Sequence, residues 1–265
     1  MITIVSYGGG TNSCAMLQGL FERGERPDYI TFADTGSEKP HTYEHIDLVS
    51  AWCLGVGFPE VTVVKGRQPQ MVEDGSLHID CIRKGTLPSK AYGFSGCSHK
   101  WKIEPQAIFN REIAKKLGIQ LSDIIRLIGF DAGEPNRVSR GIESNKNRQV
   151  QERYPLYEWD WGREECVSAI QRMGLPQPGK SACFMCPSSK KHEILELRDR
   201  YPDLFAIAIE MERKALAGEG QAEASRCGLG RSFKWAEFVA MSDAQKQLFC
   251  DAGTPDMDCG CYDGD

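Results

Sequence analysis

The chain begins with a unit that restricts its fold: an apolar strand, a glycine-rich turn and a helix. Residues 2–5 are a short apolar run rich in β-branched side chains, which predicts a buried parallel strand. Gly8, Gly9 and Gly10 follow, and Thr11, Asn12 or Ser13 can cap the helix behind them. Because the N-terminus of a helix attracts negative charge, this unit predicts an anion site, with a plain connection as the alternative.

A second polar stretch follows the second predicted strand. Residues 29–33 form that strand, and Asp34, Thr35 and Gly36 come directly after it. Open parallel sheets bind their ligands at the carboxyl ends of the strands, so we expect these residues near Ser6 and the glycine turn. Further strands are predicted over residues 60–64 and 123–129. Helices are predicted over 41–54, from about 97 to 117, over 162–174, 193–200, 204–217 and 236–249.

These two loops resemble those of the phosphoadenylyl sulfate (PAPS) reductase family, within the PP-loop ATP pyrophosphatase superfamily. The superfamily's first loop reads Ser-Gly-Gly-Lys-Asp-Ser, and the family's second signature is Asp-Thr-Gly followed by Pro-x-Thr. Residues 8–13 and 34–42 occupy these places. Thr11 stands where the family has lysine and Asn12 where it has aspartate. Two charged groups expected at the phosphates and their magnesium ion are therefore absent.

Two later segments extend the resemblance. Residues 97–105 are similar to the family's Cys-Cys-x-x-Arg/Lys-Lys-x-x-Pro segment, with Gly96 in place of the first cysteine. The resemblance implies that Lys100 and Lys102 face phosphates, whereas the residues alone also allow a solvated basic start of a helix. Residues 65–96 before this segment are expected to be a long loop.

The segment after the fourth predicted strand resembles the family pattern Gly-x-Arg-x-x-Glu-Ser-x-x-Arg. Gly129 and Glu134 match it, Asp131 replaces the first arginine, and Arg137 falls one place early. A guanidinium group such as that of Arg137 can bind phosphate or sulfate oxygens in a bidentate manner. Residues 134–153 are expected to be either a mobile lid or a hydrated loop.

Composition narrows the possible partners. The net charge is −5 and the isoelectric point is about 5.7, so no overall charge favours nucleic acid, although a local basic patch remains possible. No apolar run is long enough to span a membrane, and the sequence shows no signal peptide, so we expect a cytoplasmic protein. Eleven cysteines then indicate metal ligands, reactive thiols and small core residues rather than disulfides.

The cysteine-bearing segments predict a metal site. Cys183 and Cys186 form a Cys-x-x-Cys-Pro motif, for which two unligated core cysteines are the alternative. The tail around Cys259 loosely resembles the Glu-Cys-Gly-Ile/Leu-His tail of the reductases, whose cysteine attacks sulfur. Alternatively, Cys259 and Cys261 complete a four-thiolate zinc site with Cys183 and Cys186.

Related adenylyl sulfate reductases hold a [4Fe-4S] cluster, and the resemblance favours this cofactor over zinc. Cys97, Cys183 and Cys186 match three of the four ligand places, and Cys227, Cys259 or Cys261 could supply the fourth. Cys261 is included in the predicted metal set. The other implied cofactor is ATP or another adenine nucleotide, with magnesium as a possible companion.

The sequence thus predicts an α/β fold, a Rossmann-like parallel sheet with helices on both faces, with a nucleotide-binding domain over 1–175 and a small helical, cysteine-bearing region over 176–265. The predicted function is adenine-nucleotide-dependent sulfur transfer with an unidentified sulfur donor and acceptor. The alternative is a non-catalytic nucleotide-binding subunit with a structural metal. The predicted catalytic residues are Asp34 and Cys259. The predicted nucleotide-binding residues are Ser6, Gly8, Gly9, Gly10, Thr11, Asn12, Ser13, Asp34, Thr35, Gly36, Lys100, Lys102, Gly129, Glu134 and Arg137.

Overall fold

The computed structural model describes residues 1–66, 75–88, 90–91, 94–145, 149–217 and 228–251. The chain divides into two compact units. The first consists of Met1–Arg83 and Ser89–Phe184, and the second of Lys84–Pro88 and Met185–Asp265.

The first unit contains a five-stranded parallel sheet. Its strands are β1 (Ile2–Tyr7), β2 (Tyr29–Ala33) and β3 (Val61–Val64), followed later in the chain by β6 (Ile124–Ile128) and β7 (Gln151–Arg153). Two short strands between them, β4 (Lys90–Ala91) and β5 (Phe94–Ser95), pair in antiparallel fashion. The order across the large sheet is β3-β2-β1-β6-β7, and every neighbouring pair is parallel.

Helices flank both faces of this sheet. The helices between residues 11 and 172 are α1 (Thr11–Glu22), α2 (Pro40–Gly55), α3 (Leu77–Lys84), α4 (Gly96–Ser98), α5 (Glu104–Leu117), α6 (Pro135–Asn145), α7 (Pro155–Glu158) and α8 (Arg163–Arg172), with a π-helical turn at His99–Ile103 and a 3-10 turn at Leu121–Asp123.

Side chains alternate between two cores because successive residues of a strand face opposite sides of the sheet. Val5 and Tyr7 pack into the larger core with residues of α1, α2 and α8. Ile4 packs on the other face with Ala114 of α5 and Ile124 of β6. The predicted α/β fold class, a parallel sheet flanked by helices, is confirmed.

Two segments predicted to be loops contain regular structure instead. The predicted loop over 65–96 includes helix α3, and the predicted lid or hydrated loop over 134–153 includes helix α6 and strand β7. Only Val138 is buried among the residues of α6, while Ile142 is exposed. Because so few apolar residues repeat at helical spacing, the sequence did not indicate this helix.

The capping prediction for α1 is also corrected. Gly10 is the N-cap residue, with φ −115° and ψ 176°, and no side chain caps this helix end in the described structure. Thr11 is already the first helical residue. Ser13 instead donates a hydrogen bond from Oγ to the Gly10 carbonyl oxygen, at 3.0 Å.

The described part of the second unit is helical. It contains α9 (Lys191–Arg200), α10 (Pro202–Ala217) and α11 (Trp235–Asp251), which confirms the three helices predicted there. The buried carboxylate of Glu212 on α10 accepts backbone N–H bonds from Leu229 at 2.7 Å, Trp235 at 3.0 Å and Ala236 at 3.2 Å. Since Trp235 and Ala236 begin α11, Glu212 caps that helix from its neighbour. Among the described residues, no helix combines the length and the apolar character needed to cross a membrane.

Candidate functional site

A cavity lies at the carboxyl ends of β1 and β6, in the first unit. Its volume is about 570 Å³. The residues lining this cavity, called the loop cavity below, are Ser6, Gly8, Gly10, Thr11, Asn12, Ser13, Ile128, Gly129, Phe130, Arg137, Arg163, Pro178, Gly179, Lys180 and Ser181. In the observed strand order the winding of the chain reverses between β1 and β6. Open α/β sheets bind their ligands at this switch point, so the loop cavity occupies the expected ligand position of the fold.

Eight residues that the sequence predicts to bind nucleotide line the loop cavity: Ser6, Gly8, Gly10, Thr11, Asn12, Ser13, Gly129 and Arg137. Other predicted residues, Gly9, Asp34, Thr35, Gly36, Lys100, Lys102 and Glu134, are described but are not among its lining residues.

Gly9 has a structural role in the first loop. Its φ is +73°, a conformation that side chains disfavour, and the residue is buried. An added Cβ would lie 3.1 Å from Ser181 Oγ, 3.2 Å from Thr42 Cγ2 and 3.3 Å from Phe32 Cε2. A larger residue at this position would therefore disturb the protein itself before it affected a ligand.

Gly129 brings the end of β6 against the first turn of α1. An added Cβ there would lie 3.2 Å from the carbonyl carbon and oxygen of Asn12 and from Ser13 Cα. These are backbone atoms in a packed helix and cannot easily move away. The glycine therefore permits the close approach of two segments that together line the loop cavity.

Asn12 is the centre of a polar network at the edge of the loop cavity. Its Nδ2 donates to Asp131 Oδ2 at 2.8 Å and to Glu134 Oε2 at 3.3 Å, while its Oδ1 accepts from Arg163 Nη1 at 3.5 Å. Glu134 also forms an ion pair with Arg137. An aspartate at position 12 would place a third carboxylate against Asp131 and Glu134, which explains why an amide stands there.

The segment 178–184 extends along the first loop, residues 8–13, and along the loop after β2, residues 34–39. Ser181 Oγ donates to the carbonyl oxygen of Gly8 at 2.5 Å, and the backbone N–H of Phe184 donates to Ser37 O at 2.9 Å. Glu38 and Cys183 form an isolated β-bridge. No local motif in the sequence indicated that Pro178, Gly179, Lys180 and Ser181 line the loop cavity, and Arg163 was likewise not anticipated.

Asp34 is held by three partners. Its Oδ1 accepts from the backbone N–H of Gly36 at 2.7 Å and from the Tyr43 hydroxyl at 2.8 Å, and its Oδ2 pairs with Lys65 Nζ at 3.2 Å. Burial, together with the hydrogen bond to Asp34, raises the pKa of the Tyr43 hydroxyl above its usual range. The carboxylate of Asp34 is thus fixed in orientation at the end of β2.

Glu38 lies in the loop after β2, and its carboxylate side chain is fully buried. Its Oε1 accepts from Lys102 Nζ at 3.0 Å and from Thr35 Oγ1 at 3.2 Å, with Cys183 Sγ at 3.7 Å. Lys100 pairs with Asp80 at 3.3 Å in a similar way. Lys100 and Lys102 are therefore engaged by carboxylates of the protein, and their contact with a nucleotide stays a prediction.

The described residues do not assemble a metal-ligand set. Among them, no group of three or more His, Cys, Asp or Glu side chains is placed to hold a metal ion. Cys183 Sγ lies 3.2 Å from Thr35 Oγ1. The described arrangement therefore does not fit a cluster by itself. Cys227, Cys259 and Cys261, the further candidate ligands, lie outside the described residues, as does the predicted nucleophilic role of Cys259.

Three other cysteines belong to the core. Cys14, Cys53 and Cys166 are fully buried, and burial raises the pKa of each thiol to about 12. A thiol with such a pKa carries almost no thiolate near neutral pH and reacts slowly. The expectation that some of the cysteines are small core residues is confirmed for these three.

The fold and the loop cavity define an α/β protein with a ligand cavity at the switch point of its sheet. No known protein-family model matches the chain, and no curated protein is similar to it in sequence. Among solved structures, the U34-tRNA thiolase NcsA from Methanococcus maripaludis with its [4Fe-4S] cluster is similar, at 18% sequence identity. The match covers 91% of this chain and 80% of that chain, with a TM-score of 0.44. A similarity of this strength does not identify a ligand or a reaction.

Proposed function

We propose that this chain is an adenine-nucleotide-dependent sulfur-transfer enzyme with a PP-loop type of nucleotide site. The observation that carries the proposal is the loop cavity itself. It lies at the switch point of a parallel sheet, it is lined by Gly8 and Gly10, and it contains the uncapped first turn of α1. Backbone N–H groups at a helix N-terminus are a suitable binding site for phosphate groups.

The sulfur chemistry rests on the order of motifs along the chain. The resemblance implies two versions of the reaction. In one, ATP adenylates an oxygen of the acceptor, pyrophosphate leaves, and sulfur then displaces AMP. In the other, a thiolate attacks the sulfur of an adenylyl sulfate, the adenine nucleotide leaves, and a second thiol then displaces sulfite as a disulfide forms. Asp34 and Cys259 remain the proposed catalytic residues, and a cytoplasmic location remains the expectation. The PAPS reductase type itself is part of the proposal, as are the sulfur donor and acceptor.

Binding of nucleotide to the loop cavity is tested with Gly8→Val. Gly8 is exposed and lines the loop cavity, and an added Cβ would meet only Ser13 Oγ, at 3.7 Å, an ordinary van der Waals contact, so we expect the variant to fold. We expect calorimetry to show that ATP affinity falls by about tenfold or more, since the side chain blocks approach to the loop. Gly55→Val is the matched control, because an added Cβ at Gly55 meets no atom within 4 Å.

Equal ATP affinity of wild type, Gly8→Val and Gly55→Val would place the nucleotide elsewhere. Turnover is measured separately, as pyrophosphate release from ATP and sulfite release from adenylyl sulfates, each with a panel of candidate acceptors and thiols. Release of either product supports the enzyme proposal. ATP binding with no release under any condition would favour the second candidate below.

The metal is a separate proposal and rests on the spacing of Cys183 and Cys186. Iron–sulfur ligation predicts brown protein with absorbance at ~400 nm after anaerobic purification, and on the order of four irons per chain. One zinc per chain in colourless protein would replace the cluster but keep the ligands. We expect Cys183→Ser/Cys186→Ser to lose the metal in either case, while Cys14→Ser, a change of a buried core cysteine, retains it. Unchanged metal content in the double variant would remove this site.

A nucleotide-binding subunit without turnover is the second candidate. The observation that favours it is the network of Asn12, in which an amide donates to two carboxylates where the family has an acidic residue. Such a protein would bind nucleotide at the loop cavity and release no product.

A further inference from the structure

Three cationic side chains from separate parts of the chain line the loop cavity. Arg137 is the third residue of α6, Arg163 is the first residue of α8, and Lys180 belongs to the segment 178–184. Arg137 forms an ion pair with Glu134, and its guanidinium lies 4.2 Å from the centre of the Phe130 ring. The positive charge around this cavity is therefore not supplied by the first loop.

Arg163 differs from Lys65, Lys100 and Lys102 in its hydrogen-bond partner. Within the described part of the chain it forms no ion pair, and its Nη1 donates a hydrogen bond to the neutral Oδ1 of Asn12, at 3.5 Å. By contrast, Lys65, Lys100 and Lys102 each pair with a buried or nearly buried carboxylate. Arg163 therefore lines a cavity that has access to solvent without a direct salt bridge in the described structure, and the carboxylates of Asp131 and Glu134 bind the other end of the same Asn12 amide.

Two helix N-termini lie at the loop cavity. Helix α1 begins at Thr11 and helix α8 at Arg163, and both residues line the loop cavity. The N-terminus of a helix carries a partial positive charge of roughly half an elementary unit. In the first turn of α8, Glu165 is turned towards the helix end, where its Oε2 accepts the N–H of Gly162 at 2.9 Å. The carboxylate of Glu165 therefore offsets the partial charge of α8, and the N-terminus of α1, which no side chain of the described residues caps and whose first turn holds no acidic residue, is the one that adds to the cations of the loop cavity.

Lys180 is positioned by its neighbour. Ser181 Oγ donates to the carbonyl oxygen of Gly8, which fixes the segment 178–184 on the first loop one residue beyond Lys180. The lysine that the family carries in this loop is replaced by Thr11, whose side chain cannot neutralise a phosphate. Lys180 lines the same cavity as Thr11, although it belongs to a distant part of the chain.

We propose that Arg163 and Lys180 replace the missing loop lysine and hold the β- and γ-phosphates of the nucleotide. This inference rests on the proposed function, since it assumes that a nucleotide enters the loop cavity. It adds the two side chains that hold the polyphosphate chain of that nucleotide. ATP should bind more tightly than AMP, and AMP more tightly than adenosine. Because the contacts are between charges near the surface, the preference for ATP should weaken as ionic strength rises.

The experiment compares ATP, adenosine and inorganic tripolyphosphate by calorimetry with wild type, Arg163→Gln and Lys180→Gln. Each substitution removes a charge and keeps a polar side chain of moderate length. We expect each substitution to lower the affinity for ATP and for tripolyphosphate by about tenfold, as for the loss of a charge-assisted hydrogen bond. The affinity for adenosine should stay within about twofold of wild type. Arg172→Gln is the matched control: it removes the same charge from the other end of α8, where Arg172 pairs with Glu22. It should leave all three affinities within about twofold of wild type. Thermal denaturation of each variant verifies folding.

The outcomes separate this inference from the proposed function. If wild type binds ATP and both cavity variants bind it within twofold of wild type, the inference is overturned and the nucleotide site remains. If wild type binds tripolyphosphate through Arg163 and Lys180 but does not bind ATP, the cation site stands and the adenine-nucleotide proposal falls. If wild type binds neither, both are wrong.

Discussion

At the scale of single residues, the departures of this chain from the family pattern are linked. Asn12 and Asp131 stand where the family pattern has an aspartate and an arginine, and the two side chains form a hydrogen bond of 2.8 Å. The amide donates to the carboxylate, so the pair needs neither of the charged groups that the pattern contains. The sequence showed two isolated substitutions; the structure shows that each is compatible with the other.

Asn12→Asp tests this pairing. It should destabilise the protein by about 1–3 kcal/mol, because a carboxylate would replace the donor facing Asp131 and Glu134. Urea denaturation near neutral pH measures the loss. Asp131→Asn in the same chain should recover most of the stability, since one amide can again donate to one carboxylate. A double variant as unstable as Asn12→Asp alone would contradict this explanation.

The sequence alone could predict residues of the loop cavity only where they follow a strand. Ser6, Gly8 and Gly129 stand at the ends of predicted strands, in short motifs, so their common position at one sheet edge could be foreseen. Arg163 and Lys180 stand in segments with no ligand-binding motif, at least 150 residues from the first loop. Their approach depends on the packing of α8 along α1 and on the Ser181 contact, which no local pattern encodes.

At the scale of elements, the success of the predictions follows the density of apolar residues. Strands β1, β2 and β6 are apolar runs inside the parallel sheet, the edge strand β3 is an apolar run as well, and all four were predicted. Strand β7 reads Gln-Glu-Arg and lies at the sheet edge, where only one neighbour, β6, pairs with it. Its strand conformation comes from this pairing and not from side-chain burial, so the sequence carries no signal for it.

Helices α3 and α6 show the corresponding limit for helices. They have eight and eleven residues, and few of their side chains are buried. Short amphipathic helices gain most of their stability from tertiary packing. Their polar composition predicts a loop when the partner surface is not known. The longer helices α2, α5 and α10 bury a continuous stripe and were predicted within a few residues, except for the start of α5.

At the scale of the whole molecule, the core thiols make stability dependent on pH. Cys14, Cys53 and Cys166 have a folded pKa of about 12, because burial disfavours the thiolate, against a usual value of 9.0. Above the unfolded pKa the unfolded chain releases these protons while the folded chain retains them. The stabilisation is therefore complete below about pH 9 and is lost as pH rises towards about 12.

The free energy of unfolding should fall above about pH 9 by on the order of 1 kcal/mol per pH unit for each of these thiols. Urea midpoints at about pH 8, 9.5 and 10.5 measure the slope. Cys14→Ala/Cys166→Ala should start from lower stability and show a shallower decline, because two of the titrating groups are gone. An equally steep decline in the double variant would assign the pH dependence to other groups.

The bond between Ser181 and Gly8 joins residues 173 positions apart. During synthesis, β1 and its glycine loop leave the ribosome first, and every strand of the sheet has been made by residue 153. The wall of the loop cavity formed by 178–181 arrives only afterwards. A nascent chain can therefore assemble its sheet while its ligand cavity still lacks one side. The loop cavity is therefore complete only after every strand of the sheet on which it lies has been made.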